Sequence, residues 1–531
     1  MIQDSVQCLT RVLGRVMVVG ALALAMGLSA TSALADDFLN RVNQPWAAIP
    51  DVRRSELLIL PLLSKLDRPP AGVATVERAR LMQSGMQGWS EAEAWATAKP
   101  QADLIRALAD ISKEMSFTKA HAFAQPYGEA GIPPAIIAAE LYTALGDPPT
   151  LAAAQHKYLP AFDTLAVLVN IEATRLAAAG QVNDSIDLLT NFLVFVRQIC
   201  DRSFFAEAKW GLSNLALTHE RVRDIAYRDM RGERKLDTTR LLAQIQRLLE
   251  GKDRVLDLDR MPFPPGNQAA VEQIIARVYT PRAGVREDIF PSTMARLGST
   301  DRPLRLFGEA ARWKDAASNQ ANWFDAETKA RGIFADWESR WRLEWFNNRS
   351  NQPTEWSRTD LAKFATISQA TPMMDELRIL RQTARVESAA TRQTLALIGL
   401  TRTTGSLPRN ISAVRPRWLS VIETDPFNAN LAAGNAPPLR YFVPMRDTPK
   451  AEREEAKPFE MSVIPFEGGA AIGVRLTDDV FVLYSLGSDA NDDFARRIQN
   501  GTVGVRGADY LLFPPVLSLY RQNLIDRGDL K

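Results

Sequence analysis

From about residue 53 to residue 399 the apolar residues recur at helical spacing, and Pro or Gly interrupts them at short intervals. Few runs of alternating β-branched residues break this pattern, which therefore favours a predominantly α-helical body. Four segments show one apolar face with particular clarity and are predicted to be helices: 55–66, 102–115, 134–145 and 239–249.

The clearest supersecondary signal is a pair of helical segments, 161–179 and 183–200, joined at Gly180. Alanines gather at the end of the first segment, where two helices can approach closely, and the second segment is rich in leucine. The pair resembles a helical hairpin of the tetratricopeptide kind. Because no second copy recurs at a period of about 34 residues, the sequence predicts irregular, solenoid-like helical hairpins and not a true repeat array.

Prolines loosen the helical pattern between residues 256 and 305, which are predicted to form a linker or crossing segment inside the body. Helical spacing then resumes in a segment rich in tryptophan. Trp337, Trp341 and Trp345 lie four residues apart and are predicted to share one helical face. Such a face either anchors helix packing or forms a stacking platform for a sugar or a peptide.

The pattern changes after a predicted helix over residues 375–400. Short segments rich in Val, Ile, Phe and Tyr, bounded by Pro, Gly, Asn and Asp, predict strands at 439–443, 461–465, 471–476 and 480–485. The charged stretch 446–457 is predicted to be a solvated excursion of a hairpin. The predicted fold class is α+β: a large all-α N-terminal body followed by a small helix-plus-antiparallel-sheet domain. The predicted divisions are an export signal (1–35), a helical domain (36–255), its continuation (256–374) and a terminal α+β domain (375–531).

The first 35 residues have the features of a secretory signal. Arg11 and Arg15 precede a nearly uninterrupted apolar run over residues 16–30, and Ala33-Leu34-Ala35 supplies small residues for cleavage after Ala35. The alternative is an uncleaved anchor, because residues 16–35 approach the roughly 20 residues that span a bilayer. Either form predicts a protein that works outside the cytoplasm, in the periplasm, in the cell envelope or as a secreted protein. If the signal is cleaved, no membrane span is expected.

Composition narrows the class of protein. The chain has 46% hydrophobic and 24% charged residues, which is typical of a globular protein, and 64 Lys and Arg balance 62 Asp and Glu. This balance lacks the basic footprint of a nucleic-acid binder. Only Cys200 remains once Cys8 is removed with the signal, so no intramolecular disulfide is possible. At the end of an apolar helical run, Cys200 is predicted to be a buried, inert thiol.

Catalytic signatures are scarce. The sequence has no Gly-x-Ser-x-Gly, His-Glu-x-x-His, phosphate-binding Gly-x4-Gly-Lys-Ser/Thr or Gly-x-Gly-x-x-Gly motif. Its three histidines, His121, His156 and His219, are widely spaced in or beside helical segments, which disfavours a His-based zinc site or catalytic triad. Carboxylate-pair chemistry stays open, because the spatial pairing of acids does not show in a sequence.

An acidic loop after the last predicted strand is the one local constellation with chemical meaning. Asp489, Asn491 and Asp493 occupy alternate positions, from which three side-chain oxygens can point toward a hard cation such as calcium. The loop is not an EF-hand, since Phe494 and Asn500 stand where that motif needs Gly and Glu. The alternative is a plain acidic surface turn.

The surrounding residues resemble a known family. Gly405-Ser406-Leu407-Pro408, Asp425-Pro426-Phe427 and Pro438-Leu439-Arg440-Tyr441 follow a helix, and Tyr484-Ser485-Leu486-Gly487-Ser488-Asp489 and Ala508-Asp509 come later. This order is similar to the C-terminal region of the major pseudopilins of type II secretion, with their G-x-x-P turn, D-P-(W/F) turn, P-x-x-Y strand and Y-S-L-G-A-D-G loop.

The resemblance implies a calcium site formed by the side chains of Asp489 and Asp509 and the Leu486 carbonyl, together with Asp492 or Asp493. It covers roughly residues 380–531. The chain departs from the family in its ordinary signal, in the long helical region that precedes the match and in an insertion at 444–458. A pseudopilin-like module in an exported protein, and not a pilus subunit, is therefore expected.

These features favour an exported, non-enzymatic scaffold that binds a protein partner in the envelope and carries a calcium-stabilised C-terminal module. One alternative is a carboxylate-dependent hydrolase whose tryptophan-lined cleft binds a glycan. Another is an accessory component of a secretion or pilus-like assembly.

Overall fold

The computed structural model describes residues 37–233, 235–248, 254–298, 306–428, 437–448, 458–487, 489, 491–500 and 508–531. The predicted export signal and most of the charged stretch 446–457 lie outside these ranges. Within them the fold is α+β, with helices dominant and small sheets in the C-terminal part, which confirms the predicted class.

The helical elements are numbered in chain order. They are α1 (37–47), α2 (Glu56–Leu63), α3 (Val76–Leu81), α4 (Trp89–Ala96), α5 (Lys99–Ile111), α6 (Pro134–Ala138), α7 (Leu159–Ala178), α8 (Val182–Cys200), α9 (Phe205–Arg231), α10 (Thr238–Leu248), α11 (Gly266–Val278), α12 (Phe290–Gly298), α13 (Leu306–Ala316), α14 (Trp323–Trp341), α15 (Ala365–Ala370), α16 (Asp375–Thr404), α17 (Pro444–Asp447) and α18 (Val516–Asp526).

The predicted hairpin forms as α7 and α8 and continues into α9. Gly180 turns the chain with φ of 79°, a conformation that favours glycine. Cys200 at the end of α8 is fully buried, and a Cβ on Gly211 of α9 would lie 2.6 Å from its sulfur. Glycine is therefore required where α8 and α9 cross. Burial raises the pKa of the Cys200 thiol, as expected for an inert cysteine.

Helix α9 lies between α8 and α16 at the centre of the molecule. Arg223 of α9 forms a buried ion pair with Glu387 of α16 and also donates to Thr391 at 2.9 Å. Around this contact a single apolar core extends from Ile59 to Val516 and passes without interruption through the predicted division at residue 375.

Two sheets form the C-terminal part, and a two-stranded ladder lies in the helical body. The strands are β1 (Thr143–Ala144), β2 (Gln155–His156), β3 (Arg440–Phe442), β4 (Phe459–Ile464), β5 (Ile472–Leu476), β6 (Val482–Ser485), β7 (Arg497–Gln499) and β8 (Tyr510–Phe513). One sheet has the order β3-β6-β8 and is antiparallel, and the other has the order β5-β4-β7 with β4 and β7 parallel. A bridge between Ile498 and Asp509 joins the two sheets.

Helix α18 connects the C-terminal part to the start of the body. Arg521 forms an ion pair with Asp224 of α9 at 2.8 Å, and the same guanidinium donates to the carbonyls of Leu81 (3.0 Å) and Arg80 (2.7 Å) at the end of α3. Asp224 also accepts hydrogen bonds from Ser518 and Arg221. This buried cluster joins three elements that are distant in sequence.

Two sequence predictions are corrected. The predicted helix 134–145 ends at Ala138, because Glu140 adopts a left-handed backbone with φ of 56° and residues 143–144 form β1. The segment 256–305, predicted to be a linker, contains α11 and α12, of which α11 is buried on most of its sides. Pro265 immediately precedes α11, and Pro291 lies in the first turn of α12, so both prolines stand at helix starts.

Among the described helices, none combines the length and the apolar character that crossing a bilayer requires.

Candidate metal centre

The sheet brings two distant acidic segments together. Strand β6 leads into the acidic loop, and β8 begins immediately after Asp509. Ser485 at the end of β6 is the register partner of Tyr510 at the start of β8, so the loop and Asp509 meet at one sheet edge. Gly487 has φ of 70°, and a Cβ there would lie 3.1 Å from the Ala508 carbonyl oxygen. This close approach explains a glycine between the strand and the acidic residues.

Asp509 is the most unusual side chain at this edge. It is fully buried, and its Oδ2 accepts a hydrogen bond from the Ala495 amide at 2.8 Å, whereas its Oδ1 has no hydrogen-bond partner in the described part of the chain. Burial, together with the charges of Asp492 and Asp493, raises the pKa of Asp509 to about 7. A buried carboxylate oxygen without a partner is costly, because it loses its hydration and gains nothing in return.

Asp493 repeats this feature. Its Oδ2 is also buried and without a hydrogen-bond partner among the described residues. Two unsatisfied oxygens from two acids that repel one another therefore lie in the same region. A divalent cation would satisfy both oxygens and reverse the sign of the electrostatic interaction, and oxygen ligands of this kind suit calcium.

Asp492 is already committed to neighbouring groups. Its Oδ1 accepts hydrogen bonds from the Tyr484 hydroxyl (2.8 Å) and the Phe494 amide (3.0 Å), and its Oδ2 lies 3.3 Å from Arg440 Nε. Asp492 thus fixes the loop against β6 and β3. This role limits its availability to a metal ion and favours Asp493 as the ligand.

Asp489 and Asn491 bond to each other. The Asn491 amide donates to Asp489 Oδ1 at 3.0 Å, and the Asn491 side chain donates to Asp489 Oδ2 at 3.4 Å. Both carboxylate oxygens of Asp489, which were predicted to bind the metal, accept hydrogen bonds within this local turn. Leu486, whose carbonyl was the sixth predicted ligand, donates its amide to Asp425 at 3.2 Å.

The complete set of six predicted ligands is not assembled. Among the described residues, no three His, Cys, Asp or Glu side chains are grouped closely enough to form a metal site by themselves. Asp493 and Asp509 therefore provide the side-chain oxygens that fit a cation best, and backbone carbonyls and water would have to supply the remaining ligands.

The loop backbone is strained next to these acids. Phe494 and Ala495 have φ of 54° and 55°, which places two successive non-glycine residues in the left-handed region. This conformation directs the Ala495 amide to Asp509. Phe494, noted in the sequence as the residue that departs from an EF-hand, nevertheless adopts a backbone conformation that glycine would take easily.

Asp425 binds the end of β6, where the acidic loop begins, and the sequence analysis did not predict this role. The carboxylate is fully buried and accepts hydrogen bonds from the Phe427 amide (2.9 Å), the Ser485 hydroxyl (2.8 Å) and the Leu486 amide. Burial raises the pKa of Asp425 to about 6, although the hydrogen bonds and the charge of Arg440 act in the opposite direction. The Asp-Pro-Phe turn was visible in the sequence, but its contact with the end of β6 spans 60 residues and was not.

The tryptophans predicted to share a helical face do not form a platform. Helix α14 ends at Trp341, so Trp345 lies beyond it, where it packs against Phe427. Trp337 and Trp341 are each 4% exposed, and their indole N–H groups donate to Asp375 and to the Met261 carbonyl. Arg340 in the last turn of the helix donates to backbone carbonyls of the returning chain between residues 349 and 353 and holds that segment against the helix end. These two rings present no face to a glycan.

A buried polar cluster in the helical body surrounds Glu207 and includes His156. Glu207 accepts hydrogen bonds from Tyr127, Tyr158, Arg202 and the Phe204 amide, so its carboxylate has no capacity left for a general base. Burial lowers the pKa of His156, which contacts Thr143 at 3.1 Å. The cluster stabilises the core of the body.

Comparison of the chain with models of protein families, with curated proteins and with solved structures gave no match. The similarity of residues 380–531 to major pseudopilins therefore stays a prediction.

Proposed function

We propose that this protein is an exported, non-enzymatic scaffold whose C-terminal module is stabilised by calcium and whose helical body binds a protein partner in the envelope. The observation that carries the calcium part is the pair of buried, unpartnered oxygens, Asp509 Oδ1 and Asp493 Oδ2, at one edge of the sheet. Calcium that binds only the folded state stabilises it by about 2.7 kcal/mol at a hundredfold excess over Kd. Such binding would compensate for the absence of disulfides.

An exposed apolar helix supports the scaffold part. Helix α2 is apolar on nearly all sides, and Leu57 and Leu58 remain 43% and 44% exposed, with Pro61 on the same face and Val52 just before the helix. Exposed apolar side chains that adjoin one another can form the kind of patch through which proteins bind partners. We place the partner contact at this face.

The calcium proposal is tested by thermal unfolding with calcium or with chelator. Calcium is expected to raise the Tm of the wild-type protein by several degrees. Asp509→Asn removes a buried charge, so the variant is expected to have a higher Tm than the wild type in chelator and to lose the response to calcium. Asp526→Asn, an exposed change on α18, serves as the matched control and should respond as the wild type does.

An unchanged Tm of the wild-type protein on adding millimolar calcium would refute the metal site. The partner contact is tested separately by affinity capture from envelope fractions, with wild-type protein and with Leu57→Ser/Leu58→Ser. Because both leucines are exposed, the double variant should fold normally and lose the captured protein. Equal capture by both forms would exclude this face.

A further inference from the structure

A cavity of about 660 Å³ lies where the helical body meets the sheets, apart from the acidic loop. Its walls come from the ends of α9 and α16, from the turn that follows α16 and from the segments next to β3 and β5. This volume lies within the range of small-molecule sites, and junctions between substructures are common places for them. Strands β3 and β6 separate the cavity from the acidic loop, which lies at the opposite end of the same ladder.

The floor of the cavity is apolar. Leu236, Ile398 and Val443 lie beneath it, and the half-buried side chains of Met230 and Leu407 expose apolar surface beside them. A floor of this kind favours an alkyl or similar apolar group, because each methylene that leaves water contributes about 0.8 kcal/mol. The ligand therefore needs an apolar body.

Both guanidinium groups of the wall are already neutralised. Arg402 forms an ion pair with Asp229 and donates to the Leu236 carbonyl. Arg446 binds both oxygens of Asp447 at 2.7 Å and donates to the Leu407 carbonyl at 3.1 Å. Neither cation is therefore free to attract an anionic ligand.

Asp478 differs from these arginines. Its Oδ1 accepts hydrogen bonds from the amides of Met445 (2.6 Å) and Arg446 (3.0 Å), and no basic side chain of the described residues lies within ion-pair distance. Its neighbour Asp479, also in the wall, lies 3.7 Å from Arg231. The cavity thus combines an apolar floor with one exposed carboxylate that forms no ion pair within the described part of the chain.

We infer that this cavity binds an ammonium group carried on an apolar chain, with the chain on the Leu236, Ile398 and Val443 floor and the ammonium at Asp478. Two sources have this chemistry: a free alkylamine, and the lysine side chain of a peptide. The inference is independent of the calcium site, since no residue of the cavity is a candidate metal ligand.

Calorimetric titration of the full chain in chelator tests the inference, with n-hexylamine, n-hexanol and hexanoate as probes. Hexylamine, which is protonated at neutral pH, should bind more tightly than hexanol, and hexanoate should bind least. Asp478→Asn keeps an oxygen for the two amides but removes the charge, so it should weaken hexylamine binding at least about fivefold and leave hexanol binding unchanged. Asp526→Asn is the control and should match the wild type.

Ser406→Trp provides a second variant, because Ser406 is exposed on the cavity wall and its replacement should fold normally while blocking all three probes. A lysine with blocked backbone ends distinguishes the two sources: binding as tight as that of hexylamine indicates a peptide side chain, and weaker binding indicates a free amine. Absence of hexylamine binding at millimolar concentration would overturn the inference. Equal hexylamine affinity in the wild type and Asp478→Asn, or equal affinity for hexanoate and hexylamine, would also overturn it.

Discussion

Single carboxylates decide the chemistry of the acidic edge. Asp492 is held by Tyr484, Phe494 and Arg440, whereas Asp509 and Asp493 each bury an oxygen without a partner. Asp492 and Asp493 are adjacent in the sequence and differ only in the groups that each one meets after folding, and the pairing of β6 with β8 brings Asp509 to the same place. The capacity of this edge to bind a cation therefore comes from the two carboxylate oxygens that lack hydrogen-bond partners among the described residues.

Stability of the metal-free protein should depend on pH through Asp425 and Asp509. Both carboxyls have a pKa in the folded protein, about 6 and about 7, that lies above the value of 3.8 expected when unfolded. The folded state thus binds protons more tightly, and stability should fall as pH rises through 6 and 7. Each group contributes a slope of at most about 1.4 kcal/mol per pH unit.

Denaturant unfolding between pH 5 and pH 8 in chelator measures this slope. Saturating calcium should remove the contribution of Asp509 to the slope of stability against pH, because the cation stabilises the ionised carboxylate. Asp509→Asn should remove the same contribution in the absence of calcium. A stability that rises from pH 5 to pH 8 in chelator would contradict the assignment.

At the scale of elements, local patterns predicted more than long-range pairs did. The hairpin of α7 and α8, the helix α16 and the strands β3 to β6 were predicted near their observed positions, because periodicity reflects the face that each element buries. Strands β7 and β8 were missed, since each is short and lacks a clear alternation.

The candidate site was only partly predictable, because a sequence pattern does not show which distant residues meet after folding. The acidic loop and Asp509 were identified, but the roles of Asp425 and of the Asp489–Asn491 turn depend on which atoms meet after folding. The prediction that Trp345 shares a helical face with Trp337 and Trp341 was wrong because α14 ends at Trp341, and the four-residue spacing alone does not show where a helix ends.

A glycine that packs against an aromatic ring gives a sharp test at this scale. A Cβ on Gly399 of α16 would lie 2.4 Å from the ring of Trp418, so Gly399→Ala requires the ring to move and should cost about 1–3 kcal/mol. Gly332→Ala in α14 is the matched control: nothing lies within 4 Å of its Cβ, and the change should stabilise by up to about 1 kcal/mol. Urea unfolding compares the two, and equal effects would contradict the packing at Trp418.

At the scale of the molecule, buried arginines join the sheets to the helical body. Arg223 of α9 binds Glu387 and also donates to the Leu512 carbonyl of β8 at 2.9 Å, while Arg521 of α18 binds Asp224 and the end of α3. These groups lie within one apolar core that extends over both parts. The molecule is therefore expected to unfold as one cooperative unit.

Differential scanning calorimetry in chelator should show a single transition. Arg223→Met leaves Glu387 buried and unpaired, and should cost about 3–5 kcal/mol and lower the Tm of that single transition. Arg342→Met, which removes an exposed ion pair with Glu338, is the control and should change the Tm little. Two separate transitions in the wild-type protein would show that the C-terminal part is an independent domain.

The contact between Arg521 and the Leu81 carbonyl joins residues that are 440 positions apart. A ribosome makes the two partners at very different times, so the buried charge network around Asp224 can close only after residue 521 has been synthesised. Until then Asp224 lacks its most distant cation and α3 lacks the group that holds its last turn. A chain that is truncated before residue 521 should consequently be digested by proteases faster than the full-length protein.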